Sequence, residues 1–173
     1  MSPSWIIRTG RIVLSPVGWQ DLPDLRALKA DPGVYAQMLG GVRSAGQVAA
    51  ELAADVSFWA ARGVGMWMVR DGGEAVGLTG LHERADGQGI ALRFAFRPAA
   101  RGRGLAREAA GAALRFAHQQ DVQRVIAVAN EANIASRTVL GAIGMRPASS
   151  FERDGSRMLV FESVSPPLAD AWR

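Results

Sequence analysis

The chain has 173 residues, of which 49% are apolar and 21% charged, with a formal net charge of +4 and no cysteine. That balance predicts one globular domain over residues 1–173 and excludes disulfides, thiolate metal sites and a cysteine nucleophile. No apolar run approaches the ~20 residues of a membrane span. The opening stretch MSPSWIIRTGRIVLSP lacks the apolar core and cleavage site of a secretory signal, so a cytoplasmic protein without membrane contact is expected.

Taken in chain order, RIVLSPV (11–17) reads as the first strand, stopped by Pro16. The following segment, WQDLPDLRALKADPGVYAQML, carries apolar residues at helical spacing and breaks at Asp31-Pro32-Gly33, giving one helix before the break and a short one after it. Ser44 is placed to cap the next helix, which Gly63 closes. MWMVRD and EAVGLTGLHER are two strands about a Gly72-Gly73 hairpin turn, and IALRFAFRP is a third after ADGQG. A helix is predicted over Gly104 to Gln119, with Leu105, Ala109, Ala112, Ala113 and Phe116 on its buried face. RVIAVAN reads as a buried strand, Asn133 to Gly144 as a capped helix, and SSFERDGSRMLVFESV as two strands about Asp154-Gly155. The whole is a mixed α/β domain.

The segment with most chemical content is FAFRPAARGRGLAREA, where a strand passes through Arg101-Gly102-Arg103-Gly104 into a helix. The first turn of a helix has N–H groups without partners and a partly positive end. Glycine removes the Cβ that would hold an anion away. Arg101, Arg103 and Arg107 add charge, so the loop is an anion site of the kind that takes a phosphate. It lacks the Gly-Lys-Ser/Thr ending of a P-loop and the three spaced glycines of a dinucleotide fingerprint. Lys29 is the only lysine, and the arginines are scattered from Arg8 to Arg173 apart from Arg97, Arg101, Arg103 and Arg107. That distribution does not make a nucleic-acid-binding face.

Arg101, Gly102, Arg103, Gly104 and Ala106, then a helix, a short strand and ANEANIASRTVLGAIGM, together resemble the GNAT superfamily of acetyl-CoA-dependent N-acetyltransferases. The family's Asn-x-x-Ser helix start corresponds to Asn133 and Ser136, and its Gly-Met helix end to Gly144-Met145. The front half, RTGRIVLSPVGWQDLPDLRAL and FWAARGVGMWMVRDGGEAVGLTGL, is similar to the branch of Rim-type ribosomal-protein acetyltransferases. The resemblance implies a central, mostly antiparallel, twisted and splayed sheet flanked by helices.

It also implies roles. The N–H groups of Gly102, Arg103, Gly104, Leu105, Ala106 and Arg107 would bind the pyrophosphate of coenzyme A. Phe94, Ala95 and Phe96 would lie along its pantetheine arm, with one N–H, that of Phe96 for instance, polarising the thioester carbonyl. Asn133 would contact the arm, serve as a plain N-cap, or do both. Many family members donate a proton to the leaving sulfur from a tyrosine just beyond the Asn-x-x-Ser helix; here the sole tyrosine, Tyr35, lies far upstream. Ser136 becomes the candidate acid, against a reading as a helix-start residue bonded to backbone. Relatives often carry a glutamate near Ala91, absent here. Glu152, His82 and Glu83 are the candidate bases, each set against the reading of a solvated charge, and ordered water could relay the proton instead. His118 reads as surface.

Tyr35, Met38, Trp67 and Arg93 are the candidate acceptor-binding residues, with the aromatics and methionines alternatively core. Arg93, where the family commonly has a small residue, would suit an acidic acceptor. The resemblance therefore implies acetyl transfer from acetyl-CoA to a small-molecule amine or protein N-terminus, without metal or nucleic acid, in a chain that could pair as a homodimer. The alternative is a catalytically silent coenzyme A binder acting as a sensor or interaction module.

Overall fold

A computed structural model describes residues 4–165. In chain order the elements are β1 (Ile7–Arg8), β2 (Val13–Pro16), α1 (Leu22–Ala30), α2 (Pro32–Tyr35), α3 (Ala45–Arg62), β3 (Met66–Asp71), β4 (Glu74–Glu83) and β5 (Ile90–Phe96). They continue with α4 (Leu105–Gln119), β6 (Arg124–Asn130), α5 (Ile134–Ala142), β7 (Arg146–Arg153) and β8 (Ser156–Val164). Among the described residues the predicted order of elements holds. Two additions were not legible: the two-residue β1, too short to carry a period, and short 3-10 turns at Trp19–Asp21 and Pro98–Ala100.

The strands form one sheet in the order β1-β2-β3-β4-β5-β6-β8-β7. Every neighbouring pair is antiparallel except β5 and β6, which are parallel and in register at Ala91↔Ile126 alone. β4 and β5, by contrast, pair continuously from Gly77↔Phe96 to Glu83↔Ile90. The sheet is therefore closed along β4–β5 and splayed along β5–β6. The expected splay is present.

Both faces are covered. One packs on α4 and α5 through Leu81, Leu92, Phe96, Leu105, Ala113 and Leu140. A cluster of Trp59, Trp67 and Phe116 belongs to the same core, with edge-on ring contacts at 4.8 and 5.2 Å between centroids. The other face packs on α1–α3 through Leu25, Leu28, Leu52, Met68 and Leu78. Helix α3 begins at Ser44, whose hydroxyl accepts from the Gln47 N–H while the Gln47 side chain accepts from the Ser44 N–H, a reciprocal cap.

Candidate active site

The splay opens a cleft of about 600 Å³ between β5 and β6. The backbone N–H of Arg97 donates to Val76 O on β4 at 2.9 Å. By the two-residue period of a strand, Phe96 and Phe94 turn their backbone groups the other way, towards β6. Beyond Ala91 no rung joins β5 to β6. Phe94, Ala95 and Phe96 thus form one wall of the cleft and Ala127 to Asn130 the other.

The loop before α4 closes one end. Gly104 is the N-cap of α4 with φ of 77°, and Gly102 has the same value. Among the described residues, the N–H groups of Gly102 through Arg107 donate to no backbone or side-chain acceptor, whereas that of Glu108 reaches Gly104 O at 3.1 Å. A Cβ added at Gly102 would meet nothing within 4 Å, so the loop presents a run of free donors with open space at Gly102. Arg11 holds this loop from the side. Its guanidinium donates to Arg103 O at 2.6 Å and bonds Glu108 at 2.8 Å, while Thr9 also donates to the Glu108 carboxylate. Burial raises the Glu108 carboxyl, but the Thr9 and Arg11 hydrogen bonds outweigh it and hold the group below its usual range.

The loop arginines separate into different roles. Arg101 donates to Phe96 O at 3.3 Å and to Gly33 O, tying the end of β5 to α2. Arg103 pairs with Asp71 at 2.9 Å and does not line the cleft. Arg97 donates to Ala75 O. Arg107 lines the cleft, exposed and without a hydrogen bond or ion pair among the described residues. Arg101 also lines the cleft and has no carboxylate partner among the described residues, so the charge available to an anion at the loop is that of Arg101 and Arg107.

On the β6 side, Asn133 caps α5 by accepting from the Ser136 N–H at 3.1 Å. That leaves the Asn133 amide NH2 and the Ser136 hydroxyl without partners among the described residues, both in the cleft lining. At the opposite end the cleft is lined by Met38, Leu39, Arg43, His82, Arg84 and Arg93. His82 Nδ1 is buried with no hydrogen-bond partner. Burial first, then the charges of Arg93 and Arg84, push the imidazole down to about 3. It is neutral at neutral pH, so the candidate base His82 is a hydrogen-bonding group here rather than a strong base.

Several sequence candidates lie elsewhere. Trp67 is 0% exposed in the core, its indole N–H donating to Trp5 O at 2.7 Å. Tyr35 is likewise buried, between Lys29 and Arg43, whose charged groups stand 5.8 and 5.4 Å from its ring centre. Glu83 is exposed and faces Arg62 at 3.9 Å. Glu152 is exposed on β7, which β8 separates from β6, so it stands two strands from the notch. None of these four lines the cleft. His118 is half-buried and ties α4 to Val122 O at 2.8 Å and to Ser163 Oγ at 2.9 Å, correcting its reading as surface.

One group escaped the sequence reading. On α3, Glu51, Asp55, Phe58 and Arg62 share a stripe beside the core positions Val48, Leu52 and Trp59. Glu51 bonds the buried Lys29 at 2.6 Å and also Arg43. The Asp55 carboxylate makes no hydrogen bond among the described residues. Burial pushes its carboxyl up to about 6 against the pull of Lys29 and Arg93, with Glu51 adding to the rise. The signal that could have found it is the i, i+4 spacing of two carboxylates beside a helix's apolar face.

Asp55 has a stability consequence. Its folded value lies above the unfolded 3.8, so the folded protein holds that proton more tightly. The associated stability is complete below 3.8 and is lost as pH rises through about 6. Asp55→Asn is therefore expected to be more stable than the parent by about 1–3 kcal/mol at pH 8, with the advantage vanishing near pH 4. Urea melts at the two pH values test this; an equal or lower midpoint for the variant at pH 8 contradicts it.

No helix of the described residues is long and apolar enough to cross a membrane, and they contain no group of three or more residues placed to hold a metal.

Comparison with known proteins adds the following. Residues 11–146 match the family model described as an acetyltransferase (GNAT) domain. A GNAT-family acetyltransferase from Bordetella pertussis is 27% identical, with a TM-score of 0.79 over 92% of this chain and 99% of its own. A ribosomal L7/L12 alpha-N-protein acetyltransferase in complex with coenzyme A is 14% identical, with a TM-score of 0.76 over 92% of this chain and 97% of its own. An aminoglycoside acetyltransferase in complex with coenzyme A is 13% identical, with a TM-score of 0.72 over 88% of this chain and 94% of its own. The last two share the fold. Among curated proteins, none matches the chain.

Proposed function

The chain belongs to the GNAT acetyltransferase family, and from that premise we propose that it transfers an acetyl group from acetyl-CoA to a primary amine by direct attack. The observation that carries this reading is the run of free N–H groups from Gly102 to Arg107 at the mouth of a cleft opened by the splay of β5 from β6. A diphosphate needs closely spaced donors that no side chain screens, and this loop has them. Bound acetyl-CoA supplies a thioester carbonyl for an amine to attack and a sulfur that leaves as thiolate.

The chain's residues divide the remaining work. The Gly102–Arg107 amides and Arg107 hold the pyrophosphate. The notch-facing backbone of Phe94 and Phe96 aligns the pantetheine arm, which the Asn133 amide also contacts. An N–H of that strand stabilises the oxyanion as the C–N bond forms and the C–S bond breaks. Ser136, whose unpartnered hydroxyl lines the cleft, gives a proton to the leaving sulfur. No Asp or Glu lines the cleft among the described residues. The ammonium proton therefore leaves to solvent through the open mouth, while the neutral imidazole of His82 accepts a hydrogen bond from the amine. Acetyl-CoA with a panel of amines, monitored for released thiol, tests the proposal. Thiol release that requires both protein and amine is expected. Binding of acetyl-CoA without turnover on any amine would favour the silent coenzyme A binder.

A further inference from the structure

The acceptor end of the cleft has a charge pattern that the transfer chemistry leaves unused. Three arginines line it, and two already have carboxylates of the protein itself: Arg43 bonds Glu51, and Arg84 bonds Asp86 at 2.6 Å. Arg93 is half-buried on β5, and while its backbone carbonyl accepts from the Thr79 hydroxyl at 3.0 Å, its guanidinium makes no hydrogen bond and no ion pair among the described residues. Directly across the ladder from it stands Gly80, which puts no side chain beside the guanidinium. The Asp55 carboxylate faces it from α3 without a hydrogen bond and does not line the cleft. A partly buried guanidinium without a partner is costly to the protein unless something completes it. Arg93 is also the residue immediately before Phe94, where the cleft wall that flanks the reacting thioester begins.

We propose that the acceptor is an amine carrying a carboxylate close to its amino group, and that Arg93 holds this carboxylate while the amine meets the thioester. The inference rests on the acetyl-transfer reading for the position of the amine. Arg93 presents the planar, multiply donating head that a carboxylate takes in two parallel hydrogen bonds. The cleft lining also includes Met38, Leu39, Val128 and Met158 and no carboxylate, so it offers apolar surface to the rest of the acceptor. A polycationic amine would find arginines and no counter-charge. An apolar α-amino acid satisfies both conditions, because its carboxylate sits one carbon from its amine. The same carboxylate would offset the Arg93 charge that acts on His82, leaving the imidazole a better acceptor when substrate is present.

The test compares matched acids and amides. Methionine and phenylalanine are assayed against methioninamide and phenylalaninamide at pH 7.5, with spermidine as the polycation. The amide has the less basic amine, so more of it is neutral at this pH and chemistry alone favours it. Wild type is nonetheless expected to use the acid more efficiently in kcat/KM by about 10- to 100-fold, mostly through KM. In Arg93→Gln that advantage disappears. A second measurement is independent of turnover: 3-phenylpropanoate, the acid without its amine, should raise the melting temperature of the coenzyme A-loaded wild type but not of loaded Arg93→Gln. Equal or better use of the amides, preference for spermidine, or a carboxylate shift that survives in Arg93→Gln overturns the inference. If acetyl-CoA binds and no amine is acetylated, the transfer reading fails, and the carboxylate shift still decides whether Arg93 forms an anion site.

Discussion

Gly104→Leu should fold and lose acetyl-CoA. Saturating acetyl-CoA at ~100 times its Kd stabilises a native protein by about 2.7 kcal/mol, roughly 5–10 °C in a chain of this size. In the variant the shift should fall below about 1 °C. The Cβ introduced at this position has one protein neighbour within 4 Å, Arg11 Nη2 at 3.5 Å, so leucine meets little of the fold itself. Gly104 lines the cleft within the run of free amides, so the added side chain is expected to compete with a diphosphate for that space. The backbone cost is separate: φ of 77° strains any side chain by about 1–2 kcal/mol. Gly63→Leu is the control for that cost. Gly63 follows α3 with φ of 65° and equally open space, and its leucine variant should keep the acetyl-CoA shift while losing comparable stability. Loss of the shift in both variants would mean that strain, not occlusion, removes binding. Retention in Gly104→Leu would remove the loop from the cofactor site.

The largest stability effect is expected at Gly80. Its φ is +147°, and an added Cβ would fall 2.3 Å from Gly65 O and 2.6 Å from Met66 Cα. Both obstacles are backbone in the adjoining strand, where Leu81 N–H donates to Gly65 O at 2.9 Å, so neither can rotate away. Gly80→Ala must therefore part β3 from β4 locally. Overpacking and backbone strain together should cost about 2–6 kcal/mol, a large share of the 5–15 kcal/mol that typically holds such a domain. A fall in melting temperature of roughly 10–20 °C is expected. Gly87→Ala, with φ of +73° and nothing within 4 Å, should cost only about 1–2 kcal/mol. If the two variants melted alike, the β3–β4 contact would be looser than these distances say.

Much of this architecture was legible because its elements carry strong local signals. The N-cap at Ser44, the buried alanine stripe of α4 and the hairpin at Asp154-Gly155 are all short-range features that tertiary packing reinforced. The anion loop was legible for the same reason, since glycines, arginines and a helix start lie within a few residues. What lay beyond the sequence depends on contacts between distant segments. Arg101 lines the cleft, but its guanidinium's bonds to Gly33 O and Phe96 O join segments far apart in the chain, which no local spacing shows. Tyr35 and Trp67 look like pocket residues until both prove to be core. Asp55 and the partnerless state of Arg93 follow from how α3 lies against the sheet, which no spacing rule specifies. The acceptor end, built from α2, α3, β4 and β5, was therefore the least predictable part.

The pairing of the buried Lys29 with the half-buried Glu51 has a chemical corollary. Lys29 is the sole lysine of the chain, 1% exposed, with its ammonium 2.6 Å from a carboxylate. Thioesters acylate exposed lysines on the proteins that hold them, and the attacking species must be a neutral amine within reach. Here the one side-chain amine is enclosed and paired with Glu51. The protein surface, positively charged through arginine, thus offers no lysine for self-modification, and amine-reactive dyes or cross-linkers would leave its side chains unmarked.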